Sequence, residues 1–296
     1  MAEQKKVLIV GGNSFVGTRL AKALAEHHLV TCTYRNQVTP LPGVSYIQFS
    51  YLTEKEHCKT LMQKVEPDIV IYSIGSNDIA AAELDGHATH YLHSVSATHL
   101  QSASEMVKAK FIYLSADMIF SGHNGNHSED EPTLPASILG KSKLGAENHV
   151  RSRSLNHVII RSAPLLGRGT LDHPSWVDLL RENELIGKKI KLSPYQIRNP
   201  VHISLLSELI LKIIENDLRN QTLHLGGLTK ISDFELGNRI LLSLGLSTKT
   251  IEPLDLQSLG IFNSEALDYS LNFTKLIKLY KMEALTIEES LSRLLQ

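Results

Sequence analysis

Apolar residues along this chain fall into two alternating rhythms. Short consecutive runs, Val7-Leu8-Ile9-Val10, Leu29–Tyr34 and Ile69-Val70-Ile71-Tyr72, are separated by polar-rich stretches in which apolar positions recur every three or four residues. The runs read as buried strands and the second texture as amphipathic helices. Ser45–Phe49, Phe111–Ser115 and His157–Arg161 read as further strands, with helices expected over Lys55–Val65, Tyr91–Val107 and about Ala136–Arg151. Strands alternating with helices predict an α/β fold built on a doubly wound parallel sheet. Ser121–Pro135 is polar, glycine-bearing and without period, and reads as a long loop.

The texture changes after Pro164. Helices are expected over Ser175–Asn183 and Ser204–Ile214, a short strand over Leu223–Leu225, and helix-opening capping boxes at Ser232–Glu235 and Thr286–Glu289. The expected organisation is a first domain over residues 1–164 and a smaller mixed α/β lobe over 165–296, whose segments are free to interleave with the first.

Composition narrows the class. The chain has 296 residues, 42% hydrophobic and 21% charged, the balance of a globular protein. A formal net charge of −1 without clustering of either sign argues against nucleic acid or an anionic membrane as the main partner. Cys32 and Cys58 are too few for a disulfide framework, and no cysteine–histidine spacing suggests a metal. No apolar run reaches bilayer length and no secretory leader precedes the first strand, so a cytoplasmic protein is expected.

The first strand leads into Gly11-Gly12-Asn13-Ser14-Phe15-Val16-Gly17, after which Val16, Leu20, Ala23 and Leu24 mark one face of a helix. Strand, glycine turn and helix aim backbone N–H groups and a helix N-terminus at a phosphate, and glycine lets a pyrophosphate approach the turn. At the head of a long α/β chain this layout points to a dinucleotide. Arg35 follows the second strand, where an acidic residue would accept the ribose hydroxyls of NAD. An arginine there suits a 2′-phosphate by charge and bidentate geometry, or is a solvated surface residue beside Asn36.

The order of segments resembles the extended short-chain dehydrogenases/reductases, and within them the dTDP-4-dehydrorhamnose reductase-like group, which also includes the regulatory β subunit of methionine adenosyltransferase. The resemblance is carried by Ser115-Ala116-Asp117-Met118-Ile119-Phe120-Ser121-Gly122, by His127-Ser128-Glu129, by Leu139-Gly140-Lys141-Ser142-Lys143 with Glu147, by Ile160-Arg161 with Gly167, and by Leu271–Leu276. It implies a Rossmann-like domain, a substrate lobe, NADP(H) as cofactor and a nucleotide-linked sugar as ligand. Implied cofactor contacts are Gly11, Asn13, Ser14, Phe15, Val16 and Gly17, then Tyr34, Arg35 and Asn36. Further along they are Tyr51 and Leu52, Ser73, Ile74 and Gly75, Lys143, and finally Ala163 and Pro164.

In that family a tyrosine four residues before the lysine protonates the substrate carbonyl, aided by a serine or threonine on the preceding strand. Here those positions are Leu139 and Ala116, while Lys143 is retained and Asp117 is a second candidate. Losing a general acid removes roughly 10²–10⁴-fold in rate. Replacement donors on the page are Tyr72, Tyr91, His93, Asp117 or a water held by Lys143. His87, His90 and His93 otherwise read as exposed helix residues, Glu129-Asp130-Glu131 as a solvated loop, and Trp176 as core or as a wall of a sugar-nucleotide pocket. Three functions compete: an NADP(H)-dependent sugar-nucleotide reductase with a substitute acid; a catalytically silent relative serving regulation, scaffolding or sensing; and a binding module without dinucleotide. A homodimer or a regulatory protein partner is compatible with each.

Overall fold

Alternate residues of the first strand face opposite layers, and this splits the core in two. In the computed structural model, which describes residues 3–50, 52, 55–75, 79–254 and 267–295, β1 (Lys6–Val10) sends Val7 and Ile9 to one side and Leu8 and Val10 to the other. Around it lie β2 (Leu29–Tyr34), β3 (Val44–Gln48), β4 (Ile69–Tyr72), β5 (Lys110–Ala116) and β6 (His157–Ser162), joined by β11 (Gln221–Leu225). The order is β11-β6-β5-β4-β1-β2-β3 and every pairing is parallel. Strand order reverses beside β1, which opens a crevice at the carboxyl ends of β1 and β4.

One face is covered by α1 (Phe15–Leu24) and α8 (Ser204–Glu215), the other by α2 (Lys55–Val65), α5 (Ser96–Met106) and α6 (Ile138–Arg153). The buried face of α1 is Gly17, Leu20, Ala21 and Leu24, with Ala21 in the place expected for Ala23. Two short helices not anticipated from periodicity, α3 (Ile79–Leu84) and α4 (Gly86–His90), precede a π-helical turn at Tyr91–Val95. The helix expected from Tyr91 therefore becomes regular only at Ser96.

Beyond residue 165 the chain serves both layers. β11 completes the large sheet and α8 covers one of its faces, while β7 (Leu165–Leu166), α7 (Trp176–Leu185), α9 (Asp233–Ser243), α11 (Ile287–Ser292) and small sheets that include β9 (Gln196–Arg198) surround a separate apolar cluster. Trp176 is half-buried against that cluster. Thr286 and Glu289 form the expected capping box; Ser232 caps α9 by accepting from the Glu235 amide, and Ser175 with Asp178 forms a further box at α7.

α6 is tied to the sheet by a buried ion pair. Glu147 of α6 is fully buried and held by Arg161 of β6 at 2.9 Å and by Arg151 at 2.6 Å. Arg161 also donates to the Glu129 carbonyl and to His224 Nε2, so the acidic loop is not simply solvated: Glu129 accepts from the His224 amide and Glu131 pairs with His127, leaving Asp130 exposed. Burial, reinforced by the Arg161 charge, pushes the His224 imidazole down to about 3, which keeps it neutral, with its Nδ1–H donating to the His127 carbonyl. Removing one partner of a buried pair leaves an uncompensated charge. Arg161→Met is therefore expected to lose about 3–5 kcal/mol, read as a lower urea midpoint at unchanged m; a loss below about 1 kcal/mol would mean that Arg151 alone suffices.

Candidate active site

The outer end of the crevice is built by the glycine loop. Gly11 has φ +89°, and a Cβ there would stand 2.9 Å from Ile74 Cγ1 and 3.2 Å from Ser73 Oγ; one on Gly17 would stand 2.2 Å from the Gly11 carbonyl oxygen. Both positions exclude a side chain, the first by conformation and the second by helix–strand contact. Ser14, where a glycine is usual, caps α1 by accepting from the Gly17 amide at 3.1 Å. The amides of Phe15 and Val16 belong to the first turn, outside the helix's own ladder, and with the helix dipole they can receive a phosphate. Ser73, offered as a ligand contact, donates its hydroxyl to the Val10 carbonyl at 2.9 Å.

Toward the sheet edge, Tyr34 is half-buried and Arg35 and Asn36 are exposed past the end of β2. Leu52 is exposed, and Tyr51 lies outside the described residues. The Asn13 amide spans two segments: Nδ2 donates to the Gln37 carbonyl at 2.9 Å and is 2.9 Å from His173 Nε2. Nothing in the sequence pairs residues so far apart. Ala163 packs among Ile119, Phe120 and Leu271, and the Pro164 carbonyl accepts from the Val201 amide.

At the inner end, α6 presents Leu139, Lys143 and Glu147 at four-residue spacing on its buried face. Lys143 is 5% exposed, with Nζ 3.5 Å from the Leu114 carbonyl. A Cβ on Gly75 would sit 3.7 Å from that Nζ and 2.9 Å from His93 Cε1, so Gly75 forms a cradle with both side chains behind it. His93, expected on a helix surface, is buried because the π turn redirects it, whereas His87 and His90 are exposed. Tyr72 is buried with its hydroxyl donated to the Leu92 carbonyl at 2.5 Å and its ring stacked on Tyr113, so it serves the helix layer rather than the crevice.

Leu139 is fully buried in a small apolar cluster with Met118 and Ala82, with Ile79 of α3 packed on it. The Glu83 carboxylate of α3 accepts from the Ile138 amide at 2.7 Å, fastening α3 across the start of α6. Ala116 ends β5. Asp117, next in the chain, faces the smaller lobe: Arg198 Nε of β9 is 3.8 Å from its Oδ2 and 4.0 Å from Asp233 of α9. Tyr269 lies beneath the Arg198 guanidinium. Asp117 Oδ2, Arg198 Nε and Gln196 Nε2 are buried without a hydrogen-bond partner, a polar set at the junction of the two layers that sequence reading had left unassembled. Burial raises Asp117 to about 6 against the pull of Arg198, and burial lowers Lys143 to about 8 against the pull of Glu147 and Asp117. A perturbed carboxylate and a perturbed amine that act on one another make this end of the sheet a candidate site. Among the described residues no group of His, Cys, Asp and Glu has the arrangement of a metal site.

The chain matches the family model described as the RmlD substrate binding domain over residues 5–296. It is similar in structure to dTDP-4-dehydrorhamnose reductase from Bacillus anthracis in complex with NADP, with a TM-score of 0.83 and 20% identity over 99% of each chain. It is 21% identical over 257 residues to methionine adenosyltransferase 2 subunit beta of Rattus norvegicus, covering 84% of this chain and 75% of that protein. It is also 29% identical over 143 residues to dTDP-4-dehydrorhamnose reductase of Burkholderia thailandensis, covering 48% of this chain and 44% of that protein.

Lys143 supplies a pH-dependent check on this geometry. Below about pH 8 the folded state holds the whole buried ammonium; between about 8 and 10.5 it sheds a proton that the unfolded chain keeps, so the stability due to this group rises with pH across that window. Lys143→Met should accordingly be more stable than the native chain at pH 7, by on the order of 3 kcal/mol, with the gap closing as pH rises through that window. Urea unfolding at neutral and alkaline pH measures it, and a less stable variant at pH 7 would mean the ammonium is well solvated in the crevice.

Proposed function

The chain belongs to the RmlD substrate-binding-domain family, within the extended short-chain dehydrogenases/reductases, and from that membership we propose that it binds NADP(H) and a nucleotide-linked sugar without the ordinary proton-transfer apparatus of a reductase. One observation carries the reading: Leu139, at the position of the family's acid, is sealed in an apolar cluster under α3, one helical turn before a retained Lys143.

The cofactor fits the residues present. Gly11 and Gly17 let β1, the turn and α1 approach more closely than a Cβ would allow, the Phe15 and Val16 amides at the start of α1 would receive the phosphates, and the Gly75 cradle ends at Lys143. In that placement Arg35 would hold the 2′-phosphate and Lys143 the ribose hydroxyls beside the nicotinamide. A bound NADPH would supply hydride. The protein's side of a carbonyl reduction is to place donors where alkoxide charge develops. Leu139 and Ala116 offer a butyl group and a methyl group there. Asp117, half-protonated near pH 6, is turned to Arg198 and Asp233, and these three with Gln196 are better arranged to grip hydroxyl-rich ligands from both lobes.

A second reading draws on the rat relative, whose name makes it a subunit of an adenosyltransferase. A silent, cofactor-binding member of an assembly would keep the crevice and need no acid. It predicts co-purification of a partner in fixed stoichiometry.

NADPH should raise the melting temperature more than NADH, and Arg35→Ala should erase the difference; a ligand at a hundred times its Kd stabilises by about 2.7 kcal/mol. Equal shifts with both cofactors would make Arg35 a bystander, and no shift with either would favour a module that takes no dinucleotide. In the same preparation NADPH oxidation with dTDP-4-keto-sugars should be negligible. Turnover comparable to an ordinary family member would overturn the silent reading, with His93→Ala, Tyr91→Phe and Asp117→Asn as the variants to locate the acid.

A further inference from the structure

At the far edge of the large sheet, away from the crevice, β11 has β6 on one side only. Leu225 turns its carbonyl to the amide of Ala163, the residue after β6, so by alternation Thr222 and His224 turn their backbone groups outward. One residue of a further parallel strand would bond both, its amide to the Thr222 carbonyl and its carbonyl to the His224 amide. Two charged side chains take that place. Lys275 of α10 (Thr274–Tyr280) donates to the Thr222 carbonyl at 3.0 Å, and the Glu129 carboxylate accepts from the His224 amide at 3.2 Å. Arg151, in the last turn of α6, donates to the Thr222 hydroxyl at 3.3 Å while pairing with Glu147.

These groups line a cavity of about 480 Å³ together with Asp130, Glu131 and Arg161, a volume suited to a small molecule. Arg151 stands roughly 12 Å along α6 from Lys143, so the cavity is separate from the crevice. Its walls carry opposite charges that do not meet. Among the described residues Glu129, Asp130 and Lys275 form no ion pair, whereas Arg151 and Arg161 are engaged by Glu147 and Glu131 by His127. The anchoring bonds leave capacity over. Lys275 has further N–H groups, Glu129 a second carboxylate oxygen, and Thr222 a hydroxyl hydrogen still to donate.

The balance of charge selects the ligand. A simple anion would meet Lys275 but also three carboxylates, and a bare cation would meet three cationic side chains. A ligand bearing both signs satisfies both walls, and side chains already fixed to the backbone lose little freedom in holding it. The anchors occupy backbone groups that a single strand residue would span. That spacing matches an ammonium and a carboxylate on one carbon rather than on a long chain. We propose that this cavity binds a small zwitterion of the α-amino acid class, its ammonium received by Glu129 and Asp130 and its carboxylate by Lys275 and Arg151.

The test is titration of the isotope-labelled full chain with glycine and a panel of L-α-amino acids, in a buffer that is not itself zwitterionic. The amides of Thr222, His224 and Lys275 are followed by NMR, which reads weak binding directly. The panel's best ligand should shift them saturably. Its N-acetyl form, which keeps only the carboxylate, and its amide form, which keeps only the ammonium, should each bind about tenfold or more weakly, the loss of a charged hydrogen bond. Glu129→Gln retains an acceptor for the His224 amide and should weaken the zwitterion without weakening the N-acetyl form. Lys275→Gln retains a donor for Thr222 and should weaken the zwitterion without weakening the amide form. A thermal melt checks that both variants fold, and where one does not, the two blocked ligands on the native chain decide. No saturable shift up to tens of millimolar, a blocked form that binds as tightly as its parent, or shifts confined to the crevice around Gly11–Gly17 overturns the proposal.

Discussion

The ion pair between Glu147 and Arg161 sets the depth at which α6 lies on the sheet. Glu147 is without exposure, and its carboxylate is met by Arg161 from β6 and Arg151 from its own helix. A carboxylate in that position is tolerated only with its partners in place. Lys143 and Leu139 stand one and two turns earlier on the same face, so the position of the crevice's inner end follows from this contact. Arg161 also reaches the Glu129 carbonyl, which carries the constraint into the long loop after β5.

With α6 held there, the crevice has two unlike ends. The outer end is made of backbone: amides at the start of α1 and glycines that let strand, turn and helix pack more closely than side chains would allow. Backbone groups tolerate substitution nearby, and Ser14 is accommodated as a helix cap where a glycine would be expected. The inner end is made of side chains, and there Leu139 and Ala116 are apolar and buried. A leucine enclosed by Met118, Ala82 and Ile79 serves stability at the position where a proton donor would serve reaction. The buried Lys143 runs the other way: an ammonium among few partners opposes folding.

Both lobes reach the crevice. Arg198 comes from β9 to Asp117 at the end of β5, and a strap at residues 167–174 comes from the same side of the molecule to Asn13. The first brings a charged pair to the inner end; the second covers the glycine loop. The layers are therefore joined at the crevice through named contacts rather than through general proximity.

Much of this was legible in the sequence, and the boundary of legibility has a physical cause. Local patterns determined the parallel α/β class, the limits of β2, α2 and β4, the glycine loop and the apolar character of positions 116 and 139, because each depends on periodicity or residue type within one turn or one strand. Tertiary structure alone decided the rest. His93 shares its spacing with two exposed histidines, and only a π turn places it beside Gly75. Glu129 and Glu131 belong to a charged loop, yet partners on β11 and at His127 engage them. β11 and α8 lie past residue 165 in the chain, yet β11 is an edge strand of the large sheet and α8 packs on its face. His173 is 160 residues from Asn13 and Arg198 comes from another sheet than Asp117, so neither pairing leaves a periodic trace. Contacts between distant segments are selected by packing and charge once the sheet has formed, and that selection is not written in any local stretch of the chain.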